Sequence, residues 1–208
     1  MLPDSVKILF DSSEEANLQL PDPTLVQYYK DLANRIIWVD HEIDSSMFDV
    51  FSSILNWNQE DKDVPIEERR PIRIFFNSPG GSLDVEETLV SIIKLSKTPI
   101  HGIAIGMVAS AASLIYLSCP KRFALPNAYF IFHRGSCQNI EGNYNEVQAA
   151  MQDYKEQVEK MENFYINNTS YPEEVIREKI KSDWYIHMDE ALKYNIVTDL
   201  VEDIDAML

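Results

Sequence analysis

The chain has only two cysteines in 208 residues, Cys119 and Cys137. They lie too far apart for a C-x-x-C motif and are too few for a disulfide scaffold, so a reducing compartment is the simpler home. Basic residues are also scarce: 18 lysines and arginines stand against 34 acids, a formal net charge of −16. Phosphate backbones and anionic lipid surfaces need a concentrated basic face, so nucleic acid and membrane are excluded as direct partners. Long apolar runs are missing. The longest, Ile100 to Leu117, is broken by His101 and rich in Gly, Ala and Ser. It falls short of a membrane span and reads as a buried strand followed by a tightly packed helix. The N-terminus has an early acid and no basic n-region, so no signal peptide is expected and the expected location is cytoplasmic. Against these absences stand 45% hydrophobic and 25% charged residues, enough for a core. The length suits one domain of ordinary size.

Residues 1–23 read as a flexible lead with one strand candidate, Val6 to Phe10, and a turn pair at Pro21 and Pro23. Residues 24–208 read as a single domain. Arg35 to Val39 is an apolar run of strand length. Ser45-Ser46 can cap a helix whose apolar face is Met47, Phe48, Phe51, Ile54 and Leu55. Asn58 to Arg70 is charged, holds Pro65 and reads as a solvent loop. Ile72 to Phe76 is a strand, Asn77-Ser-Pro-Gly-Gly81 turns the chain, and Ser82 can cap a helix ending near Lys97. A second strand, Ile100 to Ile105, leads through Gly106 to a helix beginning near Ser110, and Ala128 to His133 is a third. Strand, helix, strand, helix, strand predicts an α/β domain with largely parallel pairing. Residues 144–168 form a long helix whose apolar positions Val147, Met151, Tyr154, Val158, Met161 and Tyr165 step by four and three. That seam suits packing on the chain's own domain or an intersubunit contact. Pro172 starts another short helix, and Ile196 to Val201 closes as a strand.

Two glycine-containing turns each follow a strand and lead into a helix: Asn77-Ser-Pro-Gly-Gly81 and Gly106-Met-Val-Ala-Ser110. Glycines let backbone amides approach a ligand, and helix N-termini aim free N–H groups at negative charge. Side by side they can form an oxyanion hole. A phosphate cradle is disfavoured, because no Gly-Lys-[Ser/Thr] follows either turn and no G-x-G-x-x-G is present. Ser110 sits where an elbow would place a nucleophile, among the small residues Ala109, Ala111 and Ala112; the same string also serves as a close-packing helix start. A serine needs a base held by a third group. His41 suits a surface turn, His101 a core or rim role and His187 packing or solvent. His133, at the C-terminal edge of its strand, is the best-placed base. Spacing does not choose the acid among 34 candidates.

Gly80-Gly81, Gly106 to Ser110, Lys121-Arg-Phe-Ala-Leu-Pro-Asn-Ala128 with His133 five residues on, and Asp183 seven residues before Glu190-Ala191 occur in one order. Together they resemble the proteolytic subunit of the Clp (caseinolytic) protease family, from about Asp31 to Asp199. The resemblance implies Ser110 as nucleophile, His133 as general base and Asp183 as orienting acid, with the backbone N–H groups of Gly81 and Ala111 as oxyanion donors. It implies an α/β fold of stacked Clp/crotonase-like strand-strand-helix units with residues 144–168 projecting as a handle. It also implies homo-oligomeric assembly, with two rings of seven subunits meeting through those handles around a chamber. Unfolded polypeptides are the implied substrates, fed in by a partner AAA+ ATPase. No intrinsic cofactor or metal is expected; ATP would be used by the partner.

Some positions depart from the family pattern. His133-Arg134-Gly135 stands where the family often has His-Gln-Pro. Lys181-Ser182 replaces an Asp-Arg pair that makes salt bridges between rings. The loop from Asn58 to Arg70 is several residues longer than usual, and two residues are missing between Ser110 and Lys121. The first 23 residues do not resemble the usual axial-pore segment. A self-compartmentalising serine endopeptidase is the leading expectation. A non-catalytic or regulatory ring subunit and a crotonase-like acyl-CoA enzyme are the alternatives.

Overall fold

A computed structural model describes residues 22–136 and 140–205. The strand candidate at Val6 to Phe10 and Cys137 lie outside the described residues. Pro23, expected in the lead, instead opens helix α1 (Pro23–Ala33). Asp22 caps it by accepting the Thr24 N–H at 2.8 Å, and proline at the first position gives up only an N–H that no helical carbonyl would take.

The sheet is built from β1 (Ile36–Val39), β2 (Ile72–Ser78), β3 (Ile100–Ala109), β4 (Lys121–Ala124), β5 (Tyr129–Phe132), β6 (Trp184–Ile186) and β7 (Asp199–Leu200). Strands β1, β2, β3, β4 and β7 lie side by side and parallel. Strand β5 runs parallel to the far end of β3, and β6 pairs antiparallel with β5. The helices cover one face of the parallel strands, and the other face is part apolar and part open to a cleft lined by Ile103 and Phe123. One face carries the main core, including Ile72, Ile74 and Phe76 of β2. The other carries a smaller cluster of Ile36, Phe75 and Ile103.

Several local expectations need correction. The cap before α2 (Phe48–Glu60) is Asp44, not Ser45-Ser46: its carboxylate accepts the Ser46 N–H at 2.8 Å across a short 3-10 turn. Phe48 and Leu55 are exposed; the buried face is Met47, Val50, Phe51, Ile54 and Trp57. The segment 58–70 is not all solvent loop. Its first residues extend α2, and Asp61 is buried, accepting two Arg35 guanidinium bonds at 2.6 and 2.8 Å and the Thr98 hydroxyl at 2.9 Å. Strand β3 runs four residues past Ile105, so Gly106 lies inside it rather than leading to a helix. A Cβ there would sit 2.4 Å from the Asn77 side-chain oxygen, which needs that room to accept the Met107 N–H at 3.1 Å. The strands β4 and β6 have no signal as long as an apolar run, and β7 spans two residues rather than Ile196 to Val201.

Helix α3 (Leu83–Leu95) and the fully buried α4 (Ala111–Ser118) follow β2 and β3. Helix α5 (Tyr144–Asn168) opens on a capping box between Asn143 and Glu146 and matches the expected handle. Its seam divides. Met161 and Tyr165 are buried in the chain's own core, and Tyr165 stacks on Phe132 at 4.2 Å. Val147, Met151 and Val158 instead line an open groove of about 1150 Å³. Helix α6 (Glu173–Lys179) then leads back to β6, and α7 (Met188–Lys193) toward β7. Buried Arg122 fixes that last turn by donating to the carbonyls of Cys119, Asn195 and Ile196 at 2.8–3.0 Å. These bonds offset the cost of desolvating a guanidinium.

Candidate active site

The first glycine turn is clamped from both sides. Ser78, the last residue of β2, donates its hydroxyl to the His41 carbonyl at 2.5 Å and accepts the Gly80 N–H at 3.2 Å. Ile43 donates its N–H to the Gly80 carbonyl and accepts the Ser82 N–H, both at 2.8 Å. Gly80 has φ +96°, and a Cβ there would lie 2.6 Å from the Ser110 Cβ and 2.9 Å from the Ala111 nitrogen. Gly81 has φ +151°, and its Cβ would fall 2.3 Å from the Ile43 carbonyl oxygen. Only residues without side chains allow this turn to lie directly against the start of α4.

Ser110 joins β3 to α4 with φ 51° and ψ −129°, an unfavourable conformation for any residue with a side chain. Contacts on both sides hold it there. Its N–H donates to the Ile131 carbonyl at 3.0 Å, and its own carbonyl accepts the Ser113 N–H at 2.8 Å and the Ser113 hydroxyl at 2.6 Å. This is the geometry of a nucleophile elbow, which lifts a serine hydroxyl out of the turn. Among the described residues, no carbonyl or side chain accepts a hydrogen bond from the Gly81 or Ala111 N–H.

His133 is the first residue beyond β5, and Asp183 the last before β6. The antiparallel pairing of Phe132 with Trp184 makes these two direct neighbours. His133 Nδ1 lies 3.3 Å from Asp183 Oδ1. The opposite nitrogen, Nε2, is buried and has no hydrogen-bond partner, so the Ser110–His133 bond is not made in this arrangement. Ser110, His133 and Gly81 nonetheless line one cleft of about 390 Å³, together with Leu83, Tyr154 and Met161. Of the five residues expected from the sequence, Ser110, Gly81 and His133 line this cleft; Ala111 follows Ser110 at the elbow, and Asp183 reaches the site through its contact with His133.

The other histidines lie elsewhere. His41 is exposed and bridges Asp40 at 3.1 Å and Ser46 at 3.0 Å. That repeats the Ser-His-Asp connectivity, but the Ser46 hydroxyl donates to Asp44 at 2.6 Å and sits on a 3-10 turn rather than an elbow. His101 is in β3, and its pKa is lowered by burial and by Lys121 and Arg73. His187 stands just before α7 without a capping side-chain bond, its ring tilted against Tyr129.

The bracing around this site has almost no local signal in the sequence. The Tyr165 hydroxyl meets the Ser113 hydroxyl at 3.1 Å, and Ser113 in turn donates to the Ser110 carbonyl, so the elbow is braced from α5. Burial holds the Tyr165 phenol far above the ordinary value. Behind His133, Arg134 and Arg177 converge on buried Glu162. The one available signal was Glu162 itself, an acid next to Met161 on the apolar side of a helix. Among the described residues no group of three or more histidines, cysteines and acids is placed to hold a metal.

A family model described as Clp protease matches residues 22–203. The ATP-dependent Clp protease proteolytic subunit 2 of Frankia casuarinae is 31% identical over 178 residues, covering 84% of this chain and 79% of that protein. Subunit 4 of Streptomyces avermitilis is 27% identical over 177 residues, covering 84% of this chain and 76% of its own length. A solved ClpP1 point mutant from Listeria monocytogenes superposes with a TM-score of 0.73 at 25% identity, covering 88% of this chain and 99% of that one.

Proposed function

The chain belongs to the Clp protease family, and we propose that within it Ser110, His133 and Asp183 form the catalytic triad and the N–H groups of Gly81 and Ala111 the oxyanion hole. The protein is a serine-type endopeptidase of the Clp/crotonase-like fold. The observation that carries the residue assignment is the elbow at Ser110, lying against a glycine turn and sharing a cleft with a histidine already paired to a carboxylate.

The chemistry follows from that placement. His133 Nε2 closes on the Ser110 hydroxyl and takes its proton as the oxygen attacks a peptide carbonyl. Asp183, on Nδ1, fixes the tautomer that leaves Nε2 free to accept and stabilises the imidazolium that forms. The developing oxyanion accepts from Gly81 and Ala111, a contact worth about 3 kcal/mol per donor. His133 then returns its proton to the leaving amine. Leu83 and Met161 give the cleft an apolar wall for a substrate side chain.

At the larger scale, residues 24–208 act as one catalytic domain preceded by the segment 1–23. Copies assemble into rings, heptameric in this proposal, and two rings meet through α5. Unfolded polypeptide is fed in by an AAA+ unfoldase that supplies the ATP-dependent step, in the cytoplasm, with no cofactor bound by this chain. The bond still open between Ser110 and His133 favours a second reading, a regulatory subunit of such a ring. Labelling with a fluorophosphonate separates the two. The triad reading expects modification at Ser110 and cleavage of peptides by the assembled protein, with both abolished in Ser110→Ala at unchanged native mass. Assembled protein that takes no label sinks it.

A further inference from the structure

We propose that Arg134, Glu162 and Arg177 form a positioning clamp that sets the His133–Asp183 pair; this rests on the triad assigned above. Arg134 follows the proposed base directly, in the strand exit His133-Arg134-Gly135. Its backbone N–H donates to the Ile180 carbonyl at 2.9 Å, and its guanidinium Nε lies 2.6 Å from one oxygen of Glu162. The other oxygen lies 2.5 Å from Arg177 on α6, the helix that leads into Asp183. The Arg134 guanidinium also donates to the Arg177 carbonyl at 3.4 Å. One carboxylate on α5 thus joins the segment carrying the base to the segment carrying the acid.

The burial is unequal. The Glu162 side chain is 6% exposed, while those of Arg134 and Arg177 are 37% and 41% exposed. A buried carboxylate needs its partners more than the half-exposed cations need it, so it draws both arginines to a fixed point. Each arginine takes one of its two oxygens, so both carboxylate oxygens carry a charge-assisted hydrogen bond. Helix α5 adds a neutral bond to the same strand exit, from the Tyr154 hydroxyl to the Gly135 carbonyl at 3.3 Å. None of the three charged groups lines the cleft beside Ser110, so their action on the reaction is through His133 and Asp183.

Such a clamp is needed because the pair it holds is loosely made. His133 and Asp183 meet at 3.3 Å at the ends of a strand pairing only three residues long, and the Asp183 side chain is 61% exposed. A small shift of α6 or of the strand exit moves one partner away from the other.

The test uses the full chain in its assembled form and compares Arg134→Gln, Arg134→Lys and Arg177→Gln by peptide cleavage, fluorophosphonate labelling rate, native mass and melting temperature. Misplacing a reacting group by a fraction of an ångström costs on the order of 10- to 100-fold. The clamp therefore expects Arg134→Gln and Arg177→Gln to lower kcat and the labelling rate by on the order of 10-fold or more, with KM within about twofold of wild type. Arg134→Lys, which keeps one ion pair, recovers most of that loss. In Arg134→Gln/Arg177→Gln the losses are not multiplicative, because both changes release the same carboxylate. Wild-type kcat and labelling in both folded single variants overturn the clamp, as do multiplicative losses in the double variant. If a glutamine variant fails to assemble, the other single variant and Glu162→Gln, which keeps the side-chain shape but drops the charge that draws both arginines, are scored by labelling rate per assembled subunit, and a wild-type rate overturns the clamp. Failure of the wild-type protein to label would instead overturn the triad itself, so the two results remain distinct.

Discussion

Ser110 keeps its strained backbone because three hydrogen bonds and the bare faces of Gly80 and Gly81 leave it no other place. Gly80→Ala is therefore expected to do more than its size suggests. The added methyl would overlap the Ser110 Cβ and the Ala111 nitrogen, and would force φ +96° on a residue that resists it. Loss of peptide cleavage by on the order of 100-fold, with destabilisation of about 1–3 kcal/mol in thermal or urea melts, is the expected outcome. A second residue behaves against type. Glu86 of α3 is buried, and burial, with Glu87 beside it, pushes its carboxyl up to about 8. A carboxyl raised in the folded state binds a proton that the unfolded chain has already lost. Stability then falls as pH rises from the usual carboxylate range toward 8, and levels off above it. Glu86→Gln should remove that slope, raising stability at pH 8 by about 1–3 kcal/mol and changing little at pH 5, as measured by urea unfolding at both pH values. At this scale the elbow position of Ser110 and the strand-end position of His133 were legible from their neighbours, since small residues and a strand end are local features. Asp183 was not: its selection depends on the Phe132–Trp184 register, which no local spacing encodes.

Among the elements, those with an apolar run or period of their own were placed from the sequence, the short β1 and β5 included, though the end of β3 and the face of α2 were not. Strands β2 and β3 and helix α5 carry enough apolar positions to announce their period. Strands β4, β6 and β7 are four residues or fewer and exist because neighbours pair with them. The segment 58–70 looked like solvent loop because charge usually faces water, yet Asp61 is drawn inward by Arg35. The divided seam of α5 answers a question that the sequence left open. Its lower part closes the chain's own core, and its upper part remains uncovered along the groove. Val158→Asp places a charge on the uncovered part without touching Met161 or Tyr165. If rings meet through α5, native mass spectrometry should show the assembly reduced to smaller species, while the melting temperature of the separated subunit stays within a few degrees. An unchanged native mass would assign that groove to something other than subunit contact.

For the molecule as a whole, the charge of −16 per chain sets the terms of assembly. Every added copy brings the same sign, so association must be driven by apolar contact and is opposed over the screening length of the buffer. Raising ionic strength from about 20 to 200 mM should shift the population toward the larger assembly, as read by analytical ultracentrifugation. A fall in assembly with salt would mean that cross-subunit ion pairs dominate instead. The parallel sheet was legible from the alternation of strands and helices; the antiparallel pair β5 and β6, which brings His133 beside Asp183, was not. That pair also sets the order in which a newly made chain acquires activity. Ser110 and His133 precede Asp183 by 73 and 50 residues in the chain, and β6 has nothing to pair with until β5 is already in place. A half-synthesised copy therefore carries a serine and a histidine but no completed triad. On the proposed triad, peptidase activity would then depend on β6 joining the sheet, because that pairing is what sets Asp183 beside His133.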